Sequence, residues 1–179
     1  MSDKQSGTPT TSPISSHVHQ LAATKLAAVG QRYTTNRKAV VDVLCGLPGP
    51  ATIAELLSSG GQLAQSSTYR NLVVLEEVGV VHRIVTSDDH ARFELTEEIT
   101  GHHHHHLICE QCGRIIDVTL SGDVESSLQG ALAAAAEAHS FTGLRHRVDL
   151  MGLCASCSEA QPTDGRGAAA AANGGSLPR

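Results

Sequence analysis

Two Cys-x-x-Cys pairs, Cys109–Cys112 and Cys154–Cys157, limit how this chain can fold more than any other feature. Each pair lies in a tight-turn sequence, Gln111-Cys112-Gly113 in one and Ala155-Ser156-Cys157 in the other, so each can turn two thiolates toward one point. Four converging thiolates complete a closed tetrahedral zinc site, with Zn–S of about 2.3 Å and no open position for a reactant. Such a site is structural, and its metal-binding energy is folding energy. Two independent redox motifs are the alternative, but neither pair has the βαβ surroundings of a thioredoxin-like centre. Thiols used for metal rather than for disulfides suit a reducing compartment. The fifth cysteine, Cys45, falls in an apolar helical run and is expected in a core.

The run His102-His103-His104-His105-His106 leads directly into Leu107-Ile108-Cys109. Affinity tags lie at chain ends, so an internal run that enters a zinc ligand belongs to the protein itself. If the run is extended, His103 and His105 face one way and His104 and His106 the other. One strand can then serve two metal sites. For His103 and His105 the candidate partners are Glu125, near the start of the following helix, and His146, which shares an inward strand face with Leu144, Val148 and Leu150. For His104 and His106 the candidates lie upstream: Glu94, His82 and His90. Imidazoles with carboxylates suit zinc, ferrous iron, nickel or manganese, and the donor set does not choose among them. A solvated histidine cluster that holds metal weakly is the plainer alternative, and His82 or His90 could each be an ordinary surface histidine.

The remaining pattern predicts two units between two tails. Residues 1–20, rich in Ser, Thr and Pro, and 158–179, with an Ala/Gly run, carry too little apolar surface to offset ordering entropy and are expected to be disordered. Within 21–96, Leu21–Val29 is helical and Thr34 or Thr35 caps a helix over Asn36–Leu47. Thr52 caps a short helix with Ile53, Leu56 and Leu57 inside, and Ser66 or Ser67 caps Thr68–Val78, with Leu72 and Leu75 inward. Val80–Thr86 and Ala91–Thr96 form a hairpin around Ser87-Asp88-Asp89-His90. Three helices followed by a hairpin is the order of a winged helix-turn-helix, with Thr68–Val78 as its recognition helix. Residues 97–101 read as a hinge. In 102–157 the expected elements are strands His103–Cys109 and Arg114–Thr119, a helix Asp123–His139 and a strand Leu144–Met151. That helix has Val124, Leu128, Ala131, Leu132 and Ala135 facing inward.

Charge and composition narrow the function. With no Trp, two Phe and two Tyr, the cores must be built from Leu, Val, Ile and Ala, which suits small units. No apolar run approaches the ~20 residues that span a bilayer, and the N-terminus lacks a charged start with an apolar stretch behind it. A soluble, cytoplasmic protein with no membrane partner is expected. The net charge of -5 sits mainly in the second half, where Arg114, Arg145 and Arg147 face eight acidic residues between Glu97 and Asp149. That half wants cations. The first half is balanced and offers the only nucleic-acid face, although the basic footprint usual for DNA binding is weak. There Ser67 and Thr68, at a helix start, suit phosphate contact, Tyr69 a base edge and Arg70 a phosphate; alone, such a start is more often just a helix cap.

Together these residues resemble the ferric uptake regulator family. The resemblance runs from about Tyr33 to Cys157: Thr35-x-Arg37, Ser67-Thr68-Tyr69-Arg70-x-Leu72 with Leu75 and Gly79, Phe93-Glu94-Leu95-Thr96, His102 to Leu107, Cys109-Glu110-x-Cys112-Gly113, and Gly152-x-Cys154-x-x-Cys157. It implies an α+β protein with an N-terminal winged helix-turn-helix domain and a C-terminal α/β dimerisation domain carrying a four-cysteine zinc site. It further implies a metal-loaded homodimer that represses transcription by binding a palindromic double-stranded DNA operator. Carried over by position, Cys109, Cys112, Cys154 and Cys157 hold structural zinc. His103, His105, Glu125 and His146 form a site within the dimerisation domain, with Glu125 needing one inserted residue to align. Glu94, His104 and His106 belong to a regulatory hinge site, and Tyr69 and Arg70 lie on DNA.

Departures bear on the metal. The histidine that iron-type members carry in the helix-turn-helix falls near Pro50 or Ala51, while His82 stands where zinc-responsive members have a wing ligand and Thr96 where they have a cysteine. Glu94 stands where the peroxide-sensing branch tends to have Asp, which argues against an oxidation sensor. The expected mechanism is a hinge lock in which His82 and Glu94 on one side and His104 and His106 on the other hold zinc or iron, with manganese or nickel as further options. A metal storage or chaperone protein and a metallohydrolase are the rival classes. The hydrolase lacks an identifiable general base, so no enzyme is expected.

Overall fold

Val18, Ala22 and Leu26 recur every fourth residue and give one helix a continuous apolar stripe. In the computed structural model, which describes residues 13–60, 63–143 and 145–160, that helix is α1 (Pro13–Ala28). It begins inside the segment expected to be a disordered tail. Burial of the stripe, with Val18 only 2% exposed, outweighs the polar composition that suggested disorder. Thr34 accepts from the Arg37 amide and caps α2 (Thr35–Gly46), which buries Val40, Val41 and Leu44. Cys45 sits at the rim of that stripe and is exposed, contrary to the expectation of a core cysteine.

Thr52 forms a full capping box at α3 (Ile53–Ser58): its hydroxyl accepts from the Glu55 amide, and the Glu55 carboxylate accepts from the Thr52 amide at 2.7 Å. Ala51–Thr52 also forms β1, too short a strand to leave a sequence pattern. The next helix, α4 (Gln65–Glu77), is entered from Ala64 rather than capped by Ser66 or Ser67. The hydroxyls of Ser67 and Thr68 donate back to the Ala64 carbonyl at 2.9 and 3.1 Å. Leu72 and Leu75 are fully buried, as their spacing requires. Then β2 (Val81–Val85) and β3 (Ala91–Leu95) pair antiparallel, with His82 directly opposite Glu94, in a sheet of order β1-β3-β2. This is the expected winged helix.

The expected hinge contains a short helix, α5 (Glu97–Thr100), ending at Gly101 in the left-handed region. Its Ile99 is fully buried in the first unit's core, and Glu98 meets Lys25 of α1 at 2.5 Å. Beyond it, β4 (His105–Cys109) pairs antiparallel with β5 (Ile115–Val118) and parallel with β6 (Asp149–Gly152). Parallel neighbours need a crossover, which α6 (Gly122–Ala138) supplies. Both parallel strands end at one edge, so the turns that follow Cys109 and Gly152 emerge side by side.

Several expectations about this unit change. Ser121, not Asp123, precedes α6, and no residue of α6 is fully buried; Leu128 is half-buried, but Val124 is 53% and Leu132 41% exposed, so most of the face expected to point inward is uncovered among the described residues. Strand β6 is shorter than the expected Leu144–Met151, Leu144 lies outside the described residues, and His146 is on the chain's approach to the strand. A last helix, α7 (Ala155–Glu159), runs past the expected boundary at 157, and residues 161–179 lie outside the described set. Among the described residues no helix is long and apolar enough to cross a membrane.

Because Leu72 fixes α4 to the core, Leu72→Ala is expected to destabilise the first unit by about 2–5 kcal/mol. Chemical denaturation measures it, and a loss well under about 1 kcal/mol would contradict full burial of this side chain.

Candidate metal centres

At the shared end of β4 and β6 the sulfurs of Cys109, Cys112, Cys154 and Cys157 lie within 4.8 Å of one another. The Cys112 and Cys154 sulfurs are 3.8 Å apart, the edge of about 3.8 Å expected of a tetrahedron with Zn–S bonds of about 2.3 Å. Both knuckles are tight turns: the Gly113 amide donates to the Cys109 carbonyl and the Cys157 amide to the Cys154 carbonyl. Amides of Cys154 and Cys112 directed at Cys109 lower its thiol to about 6, while hydrogen bonding to Cys154, burial and the other sulfurs push Cys157 up to about 12. Four sulfurs packed this closely suit a cation at their centre. All are free of disulfides.

The histidine run divides as an extended chain must. His103 and His105 form one ring pair, centroids 4.7 Å apart, and His104 and His106 another at 5.1 Å. On the first side, Glu125 reaches in from α6 and His146 from the approach to β6. Glu125 Oε2 is 3.0 Å from His105 Nε2, and Glu125 Oε1 is 3.2 Å from His103 Nε2 and 2.9 Å from His146 Nε2. The latter two nitrogens are buried yet have no hydrogen bond of proper geometry. Buried ring nitrogens left without a proper hydrogen bond beside a carboxylate fit a metal ion shared among these donors. Glu97 of α5, which falls in the segment expected to be a hinge, accepts from His103 Nδ1 at 2.7 Å and so turns Nε2 inward.

On the second side, Glu94, His104, His106 and Asp117 place one ligand atom each within 4.8 Å of the others. Glu94 Oε2 is 3.2 Å from His104 Nε2 and 3.3 Å from His106 Nε2, and Asp117 Oδ1 is 3.8 Å from His106 Nε2. Burial alone would raise Glu94, but the bonds from His106 and His82 hold it down at about 2. Burial likewise opposes a charge on His106, yet Glu94 and Asp149 raise it. Asp117 is raised by burial. Asp117 was missed because its pattern in Ile115-Ile116-Asp117-Val118 is that of any strand; only the β4–β5 register, with His106 opposite Asp117, brings it in.

His82 stands differently from its expected role. Its Nδ1 meets Glu94 Oε1 at 2.9 Å, on the oxygen away from the two histidines, and its Nε2 meets the Arg147 guanidinium, so it lies outside the four-residue cluster. His90 is bonded to Asp88 at the wing tip and does not approach the site.

The structure also separates the four candidate DNA contacts. Tyr69 is 56% exposed and Arg70 is exposed, both lining a surface pocket with Ser66, while Ser67 is partly buried. Thr68 is 0% exposed and bonded to Ala64, so it is a core residue of α4 and cannot reach DNA. The first and second units touch at two further places: Asp117 against Gly49 in the loop after α2, and the Ser87–Asp88 turn of the wing against Glu110 and Gly113.

A winged helix joined to a sheet unit with two histidine–carboxylate clusters and a four-thiol cluster defines a metal-responsive transcriptional regulator. The model of the ferric uptake regulator family matches residues 28–151, and the chain belongs to that family. Among curated proteins it is similar to the peroxide-responsive repressor PerR of Staphylococcus saprophyticus, 29% identical over 147 residues, covering 79% of this chain and 93% of that one. Among solved structures, the ferric uptake regulator Fur of Helicobacter pylori, described as having three functional metal binding sites, aligns with a TM-score of 0.61 and 21% identity over 87% of this chain and 100% of that one. A zinc-bound manganese uptake regulator aligns with a TM-score of 0.51 and 26% identity over 76% of this chain and 98% of that one.

If the four thiolates hold structural zinc, removing it is expected to unfold the sheet of β4, β5 and β6. Circular dichroism after complete chelation measures this, and an unchanged spectrum would deny the cluster its structural role.

Proposed function

We propose that this chain is a metal-dependent repressor that binds a palindromic double-stranded DNA operator as a homodimer when its regulatory site is loaded. One observation carries the reading: Glu94, on the wing, lies between His104 and His106 of the second unit at 3.2 and 3.3 Å. A ligand set drawn from both units makes cation occupancy depend on how they are placed. Glu94, His104, His106 and Asp117 would hold the regulatory divalent metal, zinc or ferrous iron, with manganese or nickel also compatible with imidazole and carboxylate donors. Bound there, the cation supplies the positive charge that lets acidic and imidazole groups from two units share one small volume.

The other residues take supporting roles. Cys109, Cys112, Cys154 and Cys157 hold structural zinc, and His103, His105, Glu125 and His146 hold a second ion inside the dimerisation unit. Ser67, Tyr69 and Arg70 face DNA from α4, where Arg70 suits a phosphate and Tyr69 a base edge or methyl group. The uncovered face of α6, with Val124 and Leu132, and the exposed Leu107, Ile116, Leu150 and Met151 of the sheet supply apolar surface for a second copy. Glu94 in place of Asp favours a direct metal sensor over a peroxide sensor. A cytoplasmic location follows from this role.

Ligand placement shifts a population: a cation that binds only the arrangement with Glu94 beside His104 and His106 favours that arrangement. His104→Ala with His106→Ala is therefore expected to abolish metal-dependent binding to the DNA upstream of its own gene and to leave the dimer intact. Gel shifts with zinc, iron, manganese or nickel added in turn measure the first and sedimentation the second. Operator affinity unchanged in the double variant would rule the hinge lock out, and metal uptake with no metal-dependent DNA footprint in the parent would favour storage.

A further inference from the structure

Strand register places His82 opposite Glu94 within the wing and His106 opposite Asp149 within the second sheet. Each pair is bonded. His82 Nδ1 meets Glu94 Oε1 at 2.9 Å, and His106 Nδ1 meets Asp149 Oδ1 at 3.1 Å. Arg147 joins the two pairs: one terminal nitrogen contacts His82 Nε2 and the other lies 3.1 Å from Asp149 Oδ2. Glu94 Oε2 to His106 Nε2 completes a closed circuit of five side chains that crosses between the units.

Donor and acceptor roles in the circuit are fixed by chemistry. A guanidinium can only donate, so His82 Nε2 accepts and its Nδ1 carries the hydrogen given to Glu94. His82 then has no free lone pair for a metal. Asp149 accepts from His106 Nδ1, which leaves His106 Nε2 as the nitrogen able to ligate, as outer carboxylates do for metal-binding histidines.

We propose that Arg147 is a positioning residue for the Glu94/His104/His106/Asp117 site, a strap whose one guanidinium steadies Glu94 through His82 and His106 through Asp149. This rests on the regulatory-site reading above. It makes His82 an orienting group rather than a ligand. Arg147 is 47% exposed, so its truncation opens no cavity, and its planar fork is what reaches two acceptors at once.

The test uses full-length protein with its cysteine-bound zinc, in a Glu125→Ala background so that only one histidine cluster is complete. Co2+ is titrated in and followed by its ligand-field absorption. Arg147→Ala is expected to weaken binding by about tenfold or more with the spectrum unchanged, since second-layer partners carry effects of that size. Arg147→Lys is expected not to restore it. His82→Ala should give a similar loss and the same spectrum, and the Arg147→Ala/His82→Ala pair should lose much less than the product of the single losses. An Arg147→Ala titration that superimposes on the parent would overturn the strap, as would a spectrum altered by His82→Ala. Glu94→Ala separates the two levels: if it binds Co2+ like the parent, the metal-site reading fails and the strap with it. If Glu94→Ala loses Co2+ while Arg147→Ala keeps it, the strap alone fails. Zinc content of every variant reports that the second unit is folded.

Discussion

Consecutive side chains on an extended backbone cannot point the same way, and the metal chemistry of this protein rests on that geometric fact. Four adjacent histidines, 103 to 106, are thereby dealt alternately to two clusters on opposite faces of one chain segment. Everything else brings the remaining donors to those faces: α6 carries Glu125, β5 carries Asp117, and the wing carries Glu94. A one-residue slip of β4 against its neighbours would exchange the two histidine pairs and undo both clusters together. The four-cysteine cluster at the end of β4 helps pin that register, since Cys109 is the strand's last residue.

Electrostatics explains why these donors tolerate one another. His105 and His106 are nearly inaccessible to solvent, and Glu94 is deeply placed, so each would be costly without a charged or polar neighbour. The acidic excess of the second half is spent largely here: Glu97, Asp117, Glu125 and Asp149 all sit against imidazoles. A balance that looked in the sequence like a general demand for cations is local, and it is concentrated where ligand atoms converge. One histidine of each cluster also has an outer carboxylate on its other nitrogen, Glu97 for His103 and Asp149 for His106.

What could be read from the sequence divides along physical lines. Chemically distinctive residues with short spacings were legible: the two Cys-x-x-Cys pairs meet each other, and the alternating histidines meet Glu94, Glu125 and His146 among the partners expected, though not His82 or His90. So were helices with strong stripes, such as α2 and α4. Features set by tertiary packing were not. The start of α1 depends on Val18 finding a core, and α5 depends on Ile99 doing the same. Asp117 needed a strand register. Thr68 shared a hydroxyl-rich helix start with Ser67, both hydroxyls bond back to Ala64, and only burial sets Thr68 inside the core while Ser67 stays partly exposed. The apolar face of α6 has the right period, but periodicity cannot say whether the surface it meets belongs to the same molecule.

The burial of Ile99 reshapes the connection between the units. Residues 97 to 100 are packed onto the first unit by Ile99 and the Lys25–Glu98 pair, while His103 already stands among the donors of the second. Only Gly101, in the left-handed region, and His102 remain between them. What looked like a tether is an elbow two residues long, so a displacement at the donors meets almost no slack before it reaches the core of the first unit.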